Sequence, residues 1–340
     1  MSVNLFVKQV GSAVTVQDLG RPGRMSQGLS RGGAMDRLAL LEATALLSAA
    51  SPQAAIEMAS FGGKFSVSSA TRFALTGAPM QAHIDDAEIS WNGTHRLCPG
   101  QELRIGSAKQ GTYGYLTFAG QVETPKVLGS RAVHLNVGLG KALEAGDVLP
   151  LCADKDLNAT LMTLPADMRF HGGVLRVMHG PQTDLFSIET RQRLCQVQFA
   201  RSRQANRQGV RLDHPDARFQ SNLVEALASD FVIPGDIQVT GDGILYVLMA
   251  ECQTMGGYPR IGTIVPEDLP KLAQAPLGAG IQLQFPMGID EQVDSYSEKR
   301  TLAALRTRVS PCIRDPKSIQ NLLDYQLISG MTVGDDLERQ

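Results

Sequence analysis

A mainly β fold with few helices is what this sequence predicts, and three observations predict it. Glycine and proline are plentiful, 34 and 17 of 340 residues, and they fall between short apolar runs. Those runs alternate or cluster strand-forming residues, as half-buried strands do. A glycine turn followed by an alternating strand recurs over 99–105, 145–151 and 277–285. Such a weak internal repeat suits the closing strands of successive barrel segments and implies two similar halves.

Taken in order, residues 65–67, 71–75 and 113–118 read as strands between Gly and Pro punctuation. A helix is expected over 35–48, where Met35, Leu38, Ala39, Leu41, Ala45 and Leu46 form one stripe. Asp36 falls in its first turn, where the helix dipole favours negative charge. The polar stretch 153–165 marks a boundary, giving a first domain over 1–155, a second over 166–295 and an extension over 296–340. The second half opens with a strand at 174–178, then a helix from Thr183 capped by Thr183 or Asp184. Residues 222–228 have helical propensity but are expected extended on the family resemblance described below, and 244–250 read as a buried strand. Pro266-Glu267-Asp268 starts a short helix through Leu272. In the strand at 281–285, Ile281, Leu283 and Phe285 share one face and glutamines take the other. The tail from Glu298 reads as helix to Arg308, broken by Pro311 and Pro316, an appendage to the core.

Composition removes several classes of function. The formal net charge of −2 supplies no basic stripe for nucleic acid and no polybasic membrane patch. No apolar run is long enough to span a bilayer and no signal stretch is recognisable, so a cytoplasmic location is expected. The five cysteines are scattered and never form CxxC, which argues against a disulfide framework or thiolate zinc. Gly138-Leu139-Gly140-Lys141 lacks the upstream glycine and the hydroxyl of a P-loop. There is no HExxH, no GxSxG and no metal-ligand spacing among the histidines, so no metal is expected. No lysine is flanked by methionines in the manner of a biotin-accepting lysine.

Three polar clusters remain. The first holds Gln17, Asp18 and Arg21 in a Gly/Pro turn and continues through Gly32-Gly33-Ala34-Met35-Asp36 to a helix start. The second is Asn206-Arg207-Gln208-Gly209-Val210-Arg211, a pair of guanidinium forks suited to carboxylate or phosphate oxygens, or equally a surface pair in a loop. The third is Glu251-Cys252-Gln253-Thr254-Met255-Gly256-Gly257-Tyr258-Pro259-Arg260, where glycines let backbone approach a ligand at the end of a buried strand. It also reads as a plain β-turn, and Cys252 as a small residue filling a strand position. The candidates for chemistry are Asp18, Asp36, Arg207, Glu251 and Gln253. The candidates for binding are Gln17, Arg21, Asn206, Arg211, Gly256, Gly257, Tyr258 and Arg260. Asp18 and Asp36 could each simply order a turn or helix start. These side chains suit a small carboxylate- or carbonyl-bearing substrate, with the reaction left open.

At the same clusters the chain resembles the carboxyltransferase-like proteins. That family includes the C subunit of ATP-dependent 5-oxoprolinase, the antagonist of the sporulation-kinase inhibitor Kip, and the carboxyltransferase part of urea carboxylase. The resemblance rests on Thr15-Val16-Gln17-Asp18-Leu19-Gly20-Arg21-Pro22-Gly23, Gly33-Ala34-Met35-Asp36, Asn206-Arg207 with Gly209 and Arg211-Leu212, and Gln253-Thr254 with Gly256-Gly257-Tyr258-Pro259-Arg260. It implies two tandem cyclophilin-like β-barrel domains. It also implies two partners, the Kip-inhibitor-like B component and the A component of 5-oxoprolinase. With them it would open 5-oxoproline to L-glutamate using ATP, this chain being inactive alone. Alternatives within the resemblance are carboxyl transfer from biotin carried on a separate chain, and regulatory binding of a kinase inhibitor. Departures from the family pattern include Glu251 for Asp or Asn and Met255 for Thr, which bear on the substrate. Alanine at Arg207 or Gln253 is expected to abolish activity of the complex without unfolding the chain.

Overall fold

The computed structural model describes residues 3–216, 218–221, 227–285 and 297–312. The segment at 222–226 and Pro316 lie outside them. The described chain is mainly β with four α-helices. In the first half the strands form two sheets. One is six-stranded, in the order Val148–Leu151, Val3–Val10, Gly63–Val67, Leu103–Ala108, Met80–Ile84 and Ala87–Glu88. The other runs Thr15–Gln17, Ala55–Ala59, Tyr113–Phe118, Thr71–Gly77, Gly93–Leu97, Met162–Thr163 and Ser310–Pro311. They enclose a core that includes Leu5, Phe65, Phe73, Leu75, Leu116 and Phe118, all fully out of water. Each such side chain contributes roughly 1.5–3 kcal/mol by burial.

The second half is a closed seven-stranded barrel. Gly280–Gln284 seals it, pairing parallel with Gly173–Met178 and antiparallel with Gln198–Ala205. That strand buries Ile281 and Leu283 and turns its glutamines outward, as its alternation predicts. Each half uses the same clasp. Arg72 donates its backbone N–H, Nε and Nη2 to Asp154 at 3.0, 2.9 and 2.9 Å. Arg176 repeats this on Asp268 at 2.9, 2.9 and 3.2 Å. The expected polar connector is therefore held down: Asp154 is clasped, and Met162–Thr163 adds a strand to the second sheet.

The first helix, α1 (Arg37–Leu46), is buried from Ala39 onward. It runs between the halves, with Ala39 and Leu40 in the barrel's core and Leu41 and Leu46 in a smaller cluster. A helix apolar on most sides needs cover on most sides. Asp36 is its N-cap rather than a first-turn residue, accepting from the Ala39 N–H at 3.2 Å. The second helix, α2 (Ile188–Gln196), starts later than expected. Thr183–Leu185 is a separate 3₁₀ turn, and Ser187 caps the helix through the Thr190 N–H. The third, α3 (Leu269–Gln274), follows Asp268, whose carboxylate is held by Arg176 and by Lys271 Nζ at 2.8 Å rather than capping a backbone N–H. The fourth, α4 (Glu298–Arg308), packs on α1, burying Leu302 and Leu305, so this helix joins the core rather than hanging from it. Among the described residues no helix is long and apolar enough to cross a membrane.

Candidate functional site

The two halves meet along a seam of buried charge. Its centre is Arg207, in the turn between Gln198–Ala205 and Gly209–Asp213. Arg207 Nε donates to Glu251 Oε1 at 2.6 Å, Nη2 to the Gly33 carbonyl at 2.6 Å, and Nη1 to Glu57 Oε1. Burial opposes the Arg207 charge, but Glu57 and Glu251 outweigh it and raise its pKa. Glu57, on the strand Ala55–Ala59, also accepts from Tyr115 Oη at 2.7 Å and the Met35 N–H at 2.8 Å. Tyr115 Oη accepts in turn from the Asp36 N–H at 2.8 Å. Burial, with Glu57 and Asp36 nearby, holds the Tyr115 phenol well above its usual range, and burial pushes Tyr113 up to about 12.

Further along the seam Arg169 Nε donates to Asp36 Oδ2 at 2.8 Å, and Nη1 and Nη2 grip Glu42 at 2.8 and 2.7 Å. Gln274 donates to Asp36 Oδ2 at 2.7 Å and the Tyr113 carbonyl at 2.8 Å, while its oxygen accepts from Thr112 and Tyr113 N–H, both at 2.9 Å.

The loop that carries Gly33 needs glycine. Gly33 has φ +87°, and a Cβ there would meet Gly20 N at 2.6 Å and Asp18 O at 2.7 Å. Gly20 is equally confined, against Arg31 O at 2.5 Å. This loop-on-loop contact brings the first polar cluster to the seam.

On the solvent side of Glu251 the bonding is less complete. Asn136 Nδ2 reaches Glu251 Oε2 at 3.4 Å, and His134 Nδ1 lies 3.6 Å from the same oxygen without a hydrogen bond. His134 Nε2 is 3.0 Å from Ser30 Oγ. Burial lowers the His134 pKa, countered by Glu251 and assisted by Arg207 and Arg21. Gln17 Oε1 and Arg21 Nη1 are buried with no partner. Gln17 Nε2 is held by Thr15 Oγ1 and the Val133 carbonyl, and Arg21 Nε by the Val127 carbonyl at 3.0 Å. Two hollows flank this corner. One of about 160 Å³ lies between Gly32, Ala34 and Met35 of the first half and Met249 and Ala250 of the barrel. The other, about 350 Å³, is walled by Arg21, Ser130, Ala132 and Val133.

The structure gathers some of the expected residues and separates others. Arg207, Glu251 and Asp36 share the seam, and Gln17 and Arg21 stand beside it. Asp18 instead orders its own turn, accepting from the Gly20 N–H at 2.8 Å, Ser130 Oγ at 2.6 Å and the Arg131 N–H at 2.7 Å. Asn206 is an exposed turn residue whose oxygen accepts from Gln208 and Gly209 N–H. Arg211 pairs along its own strand with Asp213 at 2.7 Å. Arg260 pins the two-stranded sheet of Asp230–Phe231 and Met255–Gly256, bonding Asp230 and Asp236. Gly257 and Tyr258 are exposed just beyond its second strand. Among the described residues, exposed Gln253 reaches only Gln238, at 3.4 Å, and Gly256 leaves the room Gln238 occupies, since a Cβ would sit 2.4 Å from its Nε2. Among the described residues Asp18, Arg207 and Gln253 share no hydrogen-bond partner. Cys252 is buried, its thiol pushed up to about 12, so it is no nucleophile at neutral pH.

Glu57, Tyr115, His134, Arg169 and Gln274 complete the seam; Tyr115 falls in a stretch that matches the family, and no motif in the sequence marks the other four. The available signal was a carboxylate inside the apolar run Ala55-Ile56-Glu57-Met58-Ala59. Among the described residues no group of three or more His, Cys, Asp or Glu is placed to hold a metal ion.

A two-sheet unit joined to a closed barrel through a charged seam is a mainly β protein whose polar groups converge between its halves. Residues 27–285 match the family described as carboxyltransferase domain, subdomain A and B, and the chain belongs to that family. It is 34% identical to the C subunit of 5-oxoprolinase from Escherichia coli, covering 82% of this chain and 89% of that protein. With the Haemophilus influenzae C subunit of the same name the identity is 30%, over 82% of this chain and 90% of the relative. The crystal structure of Kluyveromyces lactis urea carboxylase superimposes with a TM-score of 0.77 at 23% identity, over 92% of this chain but 31% of that much longer one.

Proposed function

We propose that this protein is the C component of an ATP-dependent 5-oxoprolinase-type assembly, acting with the A and B components to open 5-oxoproline to L-glutamate. The observation that carries this reading is the 34% identity spanning 89% of the Escherichia coli relative. The His134 corner of the seam, where Gln17 Oε1 and Arg21 Nη1 lack partners, supports it as a place for a small polar ligand. All three guanidinium nitrogens of Arg207 and of Arg169 are engaged by protein oxygens, which leaves neither fork for a triphosphate.

Reconstitution is the test. The three purified proteins together should release glutamate and phosphate in equal amounts from 5-oxoproline and ATP, and omission of this chain should stop both. Undiminished release without it refutes the assignment. The family's carboxyltransferase description favours a second reading, transfer of carboxylate from biotin on a separate chain to a urea or amide. That reading requires carboxybiotin-dependent product without ATP cleavage by the A component. Binding of a kinase inhibitor with no turnover of either substrate would mark the third, regulatory reading.

A further inference from the structure

Ser30, His134 and Glu251 come from three distant parts of the chain and line up atom by atom. Ser30 Oγ is 3.0 Å from His134 Nε2, and His134 Nδ1 is 3.6 Å from Glu251 Oε2. All three side chains are buried, Ser30 the least so at 6% exposed. By distance and angle the imidazole's other nitrogen makes no hydrogen bond, which leaves it facing Glu251. Glu251 is anchored on its far oxygen by Arg207 and offers the near one to the ring. Hydroxyl, imidazole and an anchored carboxylate in that order make a nucleophile, a base and an orienting acid. The 3.6 Å gap is longer than a hydrogen bond, but such contacts are often loose before substrate binds.

A fourth group belongs to the arrangement. Arg21 Nη1 is a buried donor without an acceptor. A Cβ added at Gly32 would lie 3.3 Å from His134 Cδ2 and 3.9 Å from Arg21 Nη1, so Gly32 faces both the ring and the unpaired nitrogen. A fixed cationic donor there would stabilise negative charge developing on a carbonyl oxygen. Gly32, two residues after Ser30, lines the smaller hollow, and Val133, next to His134 in sequence, lines the larger one with Arg21.

We propose that Ser30, His134 and Glu251 form an acyl-transfer relay through which this chain, without any partner protein, takes a small acyl group from an ester or amide. Ser30 Oγ bonds to the carbonyl carbon while its proton passes to His134 Nε2. The bond from that carbon to the leaving oxygen or nitrogen then breaks, and the leaving group departs with the proton from His134. Water repeats the sequence on the acyl-serine, releasing the carboxylic acid. Burial lowers the His134 pKa, which favours the neutral imidazole that a base requires.

The relay is independent of the assembly proposed above, and its test uses the purified full chain alone. Diisopropyl fluorophosphate should add one phosphoryl group, with Oγ–P formed and fluoride lost, and peptide mapping should place it on Ser30. Ser30→Ala should take up none. His134→Gln should slow labelling on the order of 100-fold or more, the lower end of general-base effects. Ser26→Ala, an exposed position, should label as the parent does. The labelling rate should rise with pH as His134, faced by Glu251, Arg207 and Arg21, loses its proton. The smaller p-nitrophenyl acetate should give a nitrophenolate burst with acetyl on Ser30. No adduct at Ser30 with either reagent, or a rate unchanged in a folded His134→Gln protein, overturns the proposal.

Discussion

The seam contains two polar clusters, and they differ in how completely they are bonded. Around Arg169 every strong group is matched. The guanidinium holds Asp36 and Glu42, and Gln274 uses both its donors and both its acceptor positions. Burial works against the Arg169 charge, yet Asp36 and Glu42 together raise its pKa well above the ordinary value. Around His134, by contrast, Gln17 Oε1, Arg21 Nη1 and His134 Nδ1 have no hydrogen-bond partner. A saturated network is cement, because removing any member strands another in low dielectric. An unsaturated one has capacity to spare for something that arrives from outside. The position of Asp36 in the first cluster explains why a residue that looks like a ligand contact is a joint between halves.

Breaking the cement should have the largest effect. Arg169→Ala leaves Asp36 and Glu42 as buried carboxylates without their cation, and is expected to cost about 3–5 kcal/mol in urea unfolding. A loss below about 1 kcal/mol would mean that water reaches this cluster, and the contrast with the His134 corner would collapse. Next is Arg207→Ala, expected to cost roughly 2–4 kcal/mol, since Glu57 keeps Tyr115 and the Met35 amide as donors. This departs from the expectation that alanine at Arg207 leaves folding untouched. Loss of activity there should accompany loss of stability, whereas Gln253→Ala, on the exposed corner, should melt with the parent.

Smaller effects sharpen the comparison from the other side. Gln17→Met removes an oxygen that has no partner along with two donor contacts, and should change stability by about 1 kcal/mol or less, measured by the same melt. The smallest effect is in pH. Burial holds both His134 and His95 below the ordinary imidazole value. The unfolded chain therefore takes up protons near about pH 6.5 that the folded chain accepts only at lower pH. Their contribution is fully present above that value and is lost as pH falls through it towards the folded values. His134→Gln should flatten part of this slope between about pH 7 and 5, and an unchanged slope would place the titration elsewhere.

Much of the fold is readable where the cause is local. The strand Tyr113–Phe118 and the helix Glu298–Arg308 lie where alternation, caps and prolines put them, because neighbouring residues decide both. Helix α2 begins later than its sequence suggests because Thr183 resembles a cap as well as Ser187 does, and only the fold decides which turn continues. The site is legible as a set of residue types and partly illegible as a set of partners. Asp18 and Asn206 stand out for being polar beside glycine, and that is also the signature of a side chain closing its own turn. Glu57 and His134 give weak signals because their meaning lies in contacts across the two halves, as in Arg207 to Glu57 across 150 positions. Sequence spacing says little about such pairs.

The return of α4 and the strand Ser310–Pro311 to the first half has a consequence for how the protein is made. Leu302 and Leu305 cover Leu41 and Leu46, and Ser310–Pro311 completes a sheet begun at Thr15. A ribosome delivers those covers more than two hundred residues after the helix they shield. The part synthesised first is thus the part finished last, and throughout translation its greasy flank stays open to chaperones or to a neighbouring nascent chain.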